Sequence, residues 1–78
     1  MRKRETRLIA AFRTTHDAMA LEDYCHANGV EGRLIPLPRE LSAGCGLAWS
    51  APPDDEPGLR RLLTAAGIEA QHICKLEI

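Results

Sequence analysis

One cysteine, Cys45, stands between two glycines in the segment Ser42-Ala43-Gly44-Cys45-Gly46. A cysteine kept for packing usually has bulky apolar neighbours, whereas glycine permits unusual backbone angles and the close approach of another molecule. Cys45 is therefore the strongest candidate for chemistry in the chain, with the thiolate as the reactive form. The alternative interpretation is a small residue that fills the start of a strand.

Arg39, His16 and the N-terminus of the first predicted helix are candidates for activating this thiol. Arg39 precedes it in the same loop, and Thr15 and His16 open a predicted helix. A helix N-terminus carries partial positive charge, and a neighbouring cation also favours a thiolate, so the pKa of Cys45 would fall below the ~8.5 of a free cysteine. The alternatives are a solvated Arg39 and a solvent-facing His16. The predicted substrate-binding residues are Arg39, Gly44, Gly46, Thr15 and His16.

The remaining cysteines predict no metal or disulfide site. Cys25 falls on the apolar stripe of a predicted helix, and Cys74 falls in the last predicted strand, where each fits a small buried residue. The cysteine count of three is odd and no two form a CxxC pair, which argues against a disulfide framework and a structural zinc. We expect no metal and no cofactor.

Composition excludes several classes of protein. The 78 residues are 45% hydrophobic and 27% charged, which predicts one globular domain over residues 1–78. The net charge of -1 argues against nucleic acid as the main partner. The basic cluster Arg2-Lys3-Arg4 belongs to a frayed end over residues 1–6, with weak anion binding as the alternative. No apolar run suits a membrane span or signal peptide, so a cytoplasmic protein is expected.

The first half of the chain predicts a strand, a helix and a second strand. An apolar strand covers residues 7–12, and Thr14 with Asp17 begins the helix as a cap. Asn28-Gly29 ends the helix, and residues 32–37 form the next strand. The segment from Pro38 to Gly44 is predicted to be a loop.

The second half repeats this order. A strand covers residues 46–51, and the proline-rich acidic run at 52–57 begins the second helix. The spacing of its leucines forms an amphipathic stripe that Gly67 ends, and a fourth strand lies within residues 68–78. Trp49 is interpreted as a packing residue, or as part of a partner surface if it faces away from the helices.

The order β-α-β-β-α-β predicts the α+β ferredoxin-like sandwich, with two helices on one face of a four-stranded antiparallel sheet. This topology places the Cys45 loop and the N-terminus of the first helix at the same end of the sheet. Cys25 and Cys74 are expected at the opposite end, with Cys74 near the end of the fourth strand. Neither would then pair with Cys45 within a monomer.

Several segments together resemble the selenium/sulfur carrier-like family of short bacterial proteins, over about residues 8–76. The most specific are Pro38-Arg39-Glu40-Leu41-Ser42 and Cys45-Gly46-Leu47-Ala48, preceded by Thr14-Thr15-His16-Asp17-Ala18 and followed by Ala66-Gly67-Ile68. The resemblance implies a carrier that holds sulfur or selenium on Cys45 as a persulfide or selenosulfide. It implies a donor protein, such as a cysteine desulfurase, and an acceptor protein. The Cys-Pro-x-Pro motif of other small sulfur carriers is absent here.

Other functions stay open at this point. A small ligand-binding or protein-binding regulatory module of the same fold, including a homodimer, would use Cys45 only as a loop residue. A metallochaperone is less favoured, because a soft-metal site usually takes two or more thiolates. A multi-step enzyme is disfavoured by the short chain, which offers only the pair Cys45 and His16 for acid–base work.

Overall fold

Four strands and two helices follow one another as β-α-β-β-α-β in the computed structural model, which describes residues 4–41 and 46–78. Each element lies within two or three residues of its predicted position, and the last strand starts well inside its predicted window. The elements are β1 Thr6–Ala11, α1 Thr15–Ala27, β2 Arg33–Pro36, β3 Leu47–Ala51, α2 Glu56–Ala66 and β4 His72–Glu77.

The strands form one sheet in the order β2-β3-β1-β4, and every neighbouring pair is antiparallel. Trp49 lies opposite Ala10 on one side and opposite Leu34 on the other, and Ala10 also lies opposite Ile73. These residues therefore form one row across all four strands. The predicted ferredoxin-like α+β fold is confirmed.

Local side-chain bonds begin both helices. The hydroxyl of Thr14 accepts from the backbone N–H of Asp17 at 3.2 Å, which confirms the predicted cap of α1. The carboxylate of Asp55 accepts from the N–H of Gly58 at 3.1 Å and begins α2. Gly67 ends α2 in the left-handed conformation, with φ of 71°, as the sequence predicts.

The two helices cover one face of the sheet and enclose the core there. Its largest fully buried side chains are Trp49 and Phe12, so the interpretation of Trp49 as a packing residue is confirmed. The core combines residues of β1, β3, α1 and α2 with Phe12, which follows β1. Its members are Leu8, Ala10, Phe12, Ala18, Leu21, Cys25, Trp49, Ala51, Leu59 and Leu63.

Gly32 shows how closely this core is packed. A methyl group at Gly32 would lie 2.5 Å from Cζ2 of Trp49, and the backbone there has φ of 147°. Real side chains almost never tolerate that contact, and L-residues rarely adopt that backbone angle. The residue before β2 must therefore be glycine for the indole ring of Trp49 to occupy its position.

The other face of the sheet, termed here the helix-free face, carries the alternate residues of each strand. Ile9, Ala11 and Ala48 on this face are fully buried although both helices lie on the opposite side. Ser50 is 3% exposed and lies beside Ile9 in the register. The helix-free face thus has an apolar centre, and the charged residues of the same face surround it.

Candidate functional site

The loop between β2 and β3 is closed by backbone hydrogen bonds. The N–H of Leu37 donates to the carbonyl of Gly46 at 3.0 Å, which extends the β2–β3 pairing by one step. The N–H of Leu41 donates to the carbonyl of Pro38 at 3.1 Å, so Arg39 and Glu40 are the central residues of a turn. The predicted loop therefore begins with a fixed turn that presents Arg39.

Cys45 and Gly44 lie outside the described residues, so their roles stay predictions. Gly46, the residue bonded to Cys45 in the chain, is exposed, and a methyl group there would meet no atom of the described residues within 4 Å, its chain neighbours aside.

Thr15 and His16 lie in the first turn of α1, and both are exposed. β1 ends opposite the start of β3, where Ala11 pairs with Ala48, and β2 ends where Pro36 pairs with Leu47. The start of α1 and the β2–β3 loop therefore lie at the same end of the sheet, as the topology predicts. Activation of Cys45 by His16 stays a prediction.

Arg39 lines a cavity of about 1010 Å³ together with three other arginines, Arg4, Arg7 and Arg33. The walls come from β2, from the turn at Pro38 and from the ends of β1 and β4. Ser50 also lines it, so the cavity reaches the centre of the helix-free face. Neither Thr15 nor His16 is among its lining residues.

Two of these arginines flank Ser50 in the sheet, and one of them contacts it. The Nε–H of Arg7 donates to Oγ of Ser50 at 2.9 Å, and Nη2 of the same guanidinium donates to the Ser50 carbonyl at 3.4 Å. Arg33 lies directly opposite Ser50 on the neighbouring strand. Ser50 therefore fixes one guanidinium group and lies next to the residue that bears a second.

Three carboxylates, those of Glu5, Glu40 and Glu77, also line the cavity. Within residues 4–41 and 46–78, none of them forms an ion pair with a cavity arginine. The ion pair found in that part of the chain joins Glu56 and Arg60 on α2, at 3.0 Å. The arginines of the cavity are thus not neutralised by direct contact with described carboxylates.

Cys25 is a poor nucleophile in this fold. It is fully buried in the core under α1, and desolvation raises the pKa of its thiol to about 11. Less than one thiol in about a thousand would be ionised at pH 7, and access to it requires local opening. The interpretation of Cys25 as a packing residue is confirmed.

Cys74 lies in a different place from the one predicted. It is the third residue of the six-residue β4, an edge strand, and it lies opposite Ile9 on the helix-free face. The prediction that it lies near the end of β4 is wrong, because β4 begins only at His72, after the linker from α2. Cys74 is partly buried and free, so it is the second thiol to compare with Cys45.

The described part of the chain offers no group of three or more His, Cys, Asp or Glu residues that would hold a metal ion. Among the same residues, no helix is long and apolar enough to cross a membrane.

Sequence reasoning missed Arg7, Arg33 and Ser50 as parts of one site. The available signal was a single arginine near the start of each of two otherwise apolar strands, since Arg7 is the second residue of β1 and Arg33 is the first of β2. The period of a strand places each on a face, but the strand order β2-β3-β1 places both beside the same serine. The order of strands in space follows from long-range pairing, which the local pattern does not encode.

Residues 7–75 match the protein family described as "Putative Se/S carrier protein-like". The chain belongs to this family. The match includes all four strands and both helices apart from Thr6, Leu76 and Glu77. It also includes the Pro38-to-Gly46 loop. The resemblance drawn from the sequence is thus confirmed for the family. No curated protein matches the chain, and no solved structure matches it.

Proposed function

We propose that the chain carries sulfur or selenium on Cys45, as a persulfide or a selenosulfide, and relays it between two proteins. The observation that supports this most strongly is the family match over residues 7–75, because the description of the family names a Se/S carrier. The burial of Cys25 supports the choice of thiol, since that residue is enclosed by the core.

The transfer step needs no oxidant or reductant besides the donor. The Cys45 thiolate attacks the outer sulfur of a persulfide on a donor such as a cysteine desulfurase. A bond forms between Sγ of Cys45 and that sulfur, while the bond to the donor cysteine breaks and the donor leaves as a thiolate. An acceptor nucleophile then takes the outer sulfur and Cys45 returns to a thiolate.

Thiol reactivity sets the requirements on the site. An attacking thiol works best when its pKa lies near the ambient pH, because the rate needs both thiolate fraction and nucleophilicity. In the proposal, the cations Arg39 and His16 and the start of α1 at Thr15 favour the Cys45 thiolate. Gly44 and Gly46 leave room for the donor.

The proposed relay takes place in the cytoplasm, where thiols stay reduced. Both Cys25 and Cys74 are free thiols in the structure, which is consistent with that compartment.

Persulfide loading tests the proposal directly. The reduced chain would be incubated with a persulfidated cysteine desulfurase, and the mass of the intact protein measured without reductant. We expect a gain of one sulfur atom, mapped to the Cys45 peptide after alkylation. A parallel reaction with a selenium-donating lyase distinguishes selenium from sulfur.

The matched pair Cys45→Ser and Cys74→Ser identifies the thiol. We expect Cys45→Ser to accept no label and Cys74→Ser to load like the natural chain. If Cys45→Ser loads normally and Cys74→Ser does not, the assignment to Cys45 is wrong. If the natural chain stays unlabelled with either donor, the carrier function is wrong.

A second candidate function is a regulatory or protein-binding module of the same fold. The arginine-lined cavity favours it, since about 1010 Å³ of open space with four arginines suits a ligand or partner independently of any thiol. An unreactive Cys45 together with a ligand in this cavity would support the module over the carrier.

A further inference from the structure

The arginines of the helix-free face are arranged to receive negative charge. Arg7 donates to Ser50, Arg33 lies opposite Ser50 on the neighbouring strand, and no described carboxylate pairs with either arginine. Guanidinium groups without a paired carboxylate are available to a negatively charged ligand. Arg7 and Arg33 take no part in the proposed transfer at Cys45, whereas Arg39 belongs to both proposals.

Arg7 keeps N–H groups that can bind an anion after it has bonded to Ser50. A guanidinium has five N–H groups, and Arg7 donates one from Nε and one from Nη2 to Ser50. Three N–H groups remain, already oriented by the serine. Guanidinium groups recognise carboxylates through paired, charge-assisted hydrogen bonds, so a carboxylate is a fitting partner.

The shape of the cavity suits a stretch of polypeptide. It runs along β2, which is an edge strand, and is lined there by Leu34, Ile35 and Pro36. It also reaches from the turn at Pro38 to Glu5 beside the start of β1. The lining along this edge runs from Arg33 to Pro38, so an extended peptide of about six residues, at ~3.3 Å per residue, would lie alongside it.

The carboxylates that line the cavity distinguish between two kinds of anion. Glu5, Glu40 and Glu77 would repel a nucleic acid, whose phosphates carry charge at every step. A peptide can instead place its acidic residues at the arginines and its apolar residues against β2. The net charge of -1 for the whole chain also disfavours a general polyanion surface.

We propose that this cavity binds an extended, acidic segment of a partner protein, with its carboxylates at Arg7, Arg33 and Arg39. Ile35, which lies on the helix-free face opposite Ala48, would contact the apolar side chains of that segment. Because guanidinium contacts at an exposed surface are screened by ions, the affinity should fall as salt rises.

Fluorescence anisotropy with the full chain tests this proposal. The probe is a labelled peptide of about six residues that alternates glutamate with leucine. Its length matches the part of the cavity wall from Arg33 to Pro38. Its twin has glutamine in place of each glutamate. We expect the acidic peptide to bind and the glutamine twin to bind about tenfold more weakly or worse.

Two double variants with the same loss of charge locate the site. Arg33→Ala with Arg39→Ala removes two exposed cavity arginines, and we expect binding to weaken about tenfold or more. Arg60→Ala with Arg61→Ala removes two exposed arginines of α2, and we expect binding to be unchanged. Circular dichroism confirms that each variant is folded.

Four outcomes would overturn the proposal. Equal binding of the acidic peptide and its glutamine twin would show that carboxylates are not recognised. Equal weakening by both double variants would indicate general charge attraction. Displacement by inorganic phosphate at the same concentration as peptide would indicate a simple anion site. Tighter, cavity-dependent binding of oligothymidylate would indicate nucleic acid.

Discussion

The two faces of the sheet are formed by the same four strands but serve different purposes. On the helix-covered face, Trp49 and Leu8 meet α1 and α2 and are fully buried in a continuous apolar core. On the helix-free face, an apolar centre at Ile9 and Ala48 is bordered by arginines that have no ion-pair partner among the described residues. The first arrangement stabilises the fold, while the second leaves charge available for binding. Substitutions on the two faces should therefore change different properties.

The largest expected effect comes from Trp49→Ala. Removing the largest fully buried side chain leaves a cavity in the core, and the free energy of unfolding should fall by about 3–5 kcal/mol. Urea denaturation followed by circular dichroism measures it. The control is Ile35→Ala on the helix-free face, which is only partly buried; a loss as large as that of Trp49→Ala would contradict the proposed division between faces.

The next largest effect on stability is expected from a comparison of two glycines, Gly32 and Gly46. Gly32→Ala places a methyl group 2.5 Å from Trp49 and strains a backbone with φ of 147°, so we expect a loss of about 1–3 kcal/mol in unfolding free energy. Gly46→Ala meets no atom of the described residues within 4 Å, its chain neighbours aside, and should cost less than about 0.5 kcal/mol. Similar losses in the two variants would show that Trp49 does not determine the residue at position 32.

The buried thiol on the helix-covered face predicts a pH dependence of stability. The pKa of Cys25 rises from 9.0 to about 11 on folding, so above pH 9 the unfolded chain releases the thiol proton more readily. The contribution of the protonated Cys25 thiol to the free energy of unfolding is therefore fully present below pH 9 and is lost as pH rises towards 11. The loss reaches about 1 kcal/mol by pH 10. Cys25→Ala should flatten the curve between pH 9 and 10 relative to the natural chain, and an unchanged slope would contradict burial of Cys25.

The thiols of Cys25 and Cys74 differ in accessibility. Cys74 on the helix-free face is partly exposed, whereas Cys25 is enclosed. At pH 8, alkylation followed by peptide mapping should modify Cys25 at least about 100-fold more slowly than a thiol at the ordinary pKa, because two pKa units separate their thiolate fractions. Equal modification of Cys25 and Cys74 in the folded protein would show that the core opens readily.

The smallest expected effect is that of Ser50→Ala. It removes the hydroxyl that accepts from Arg7, at a cost of about 1 kcal/mol or less in unfolding free energy. Its larger effect should be on the acidic peptide, whose binding weakens because Arg7 is no longer oriented. The variant Thr64→Ala on α2, which removes another side-chain hydroxyl bond far from the cavity, serves as the control and should leave peptide binding unchanged.

Local signals in the sequence determined much of this protein. Thr14 and Asp17 begin α1, Gly67 ends α2, and the apolar alternation of β1 marks a strand, because each of these depends on neighbours a few residues away. Together with the element order, they predicted the fold. The family resemblance, confirmed over residues 7–75, rests on the same sequence.

Only the tertiary structure decided which residues meet across the sheet. Because β4 begins only at His72, after the linker from α2, Cys74 lies in the middle of the strand, opposite Ile9. Likewise, Arg7 and Arg33 lie far apart in the chain and flank Ser50 because β3 pairs with both β1 and β2. Strand pairing is set by long-range packing and register, in which a shift of one residue exchanges the two faces. The sequence alone therefore specified the elements, and their pairing specified the arginine-lined cavity.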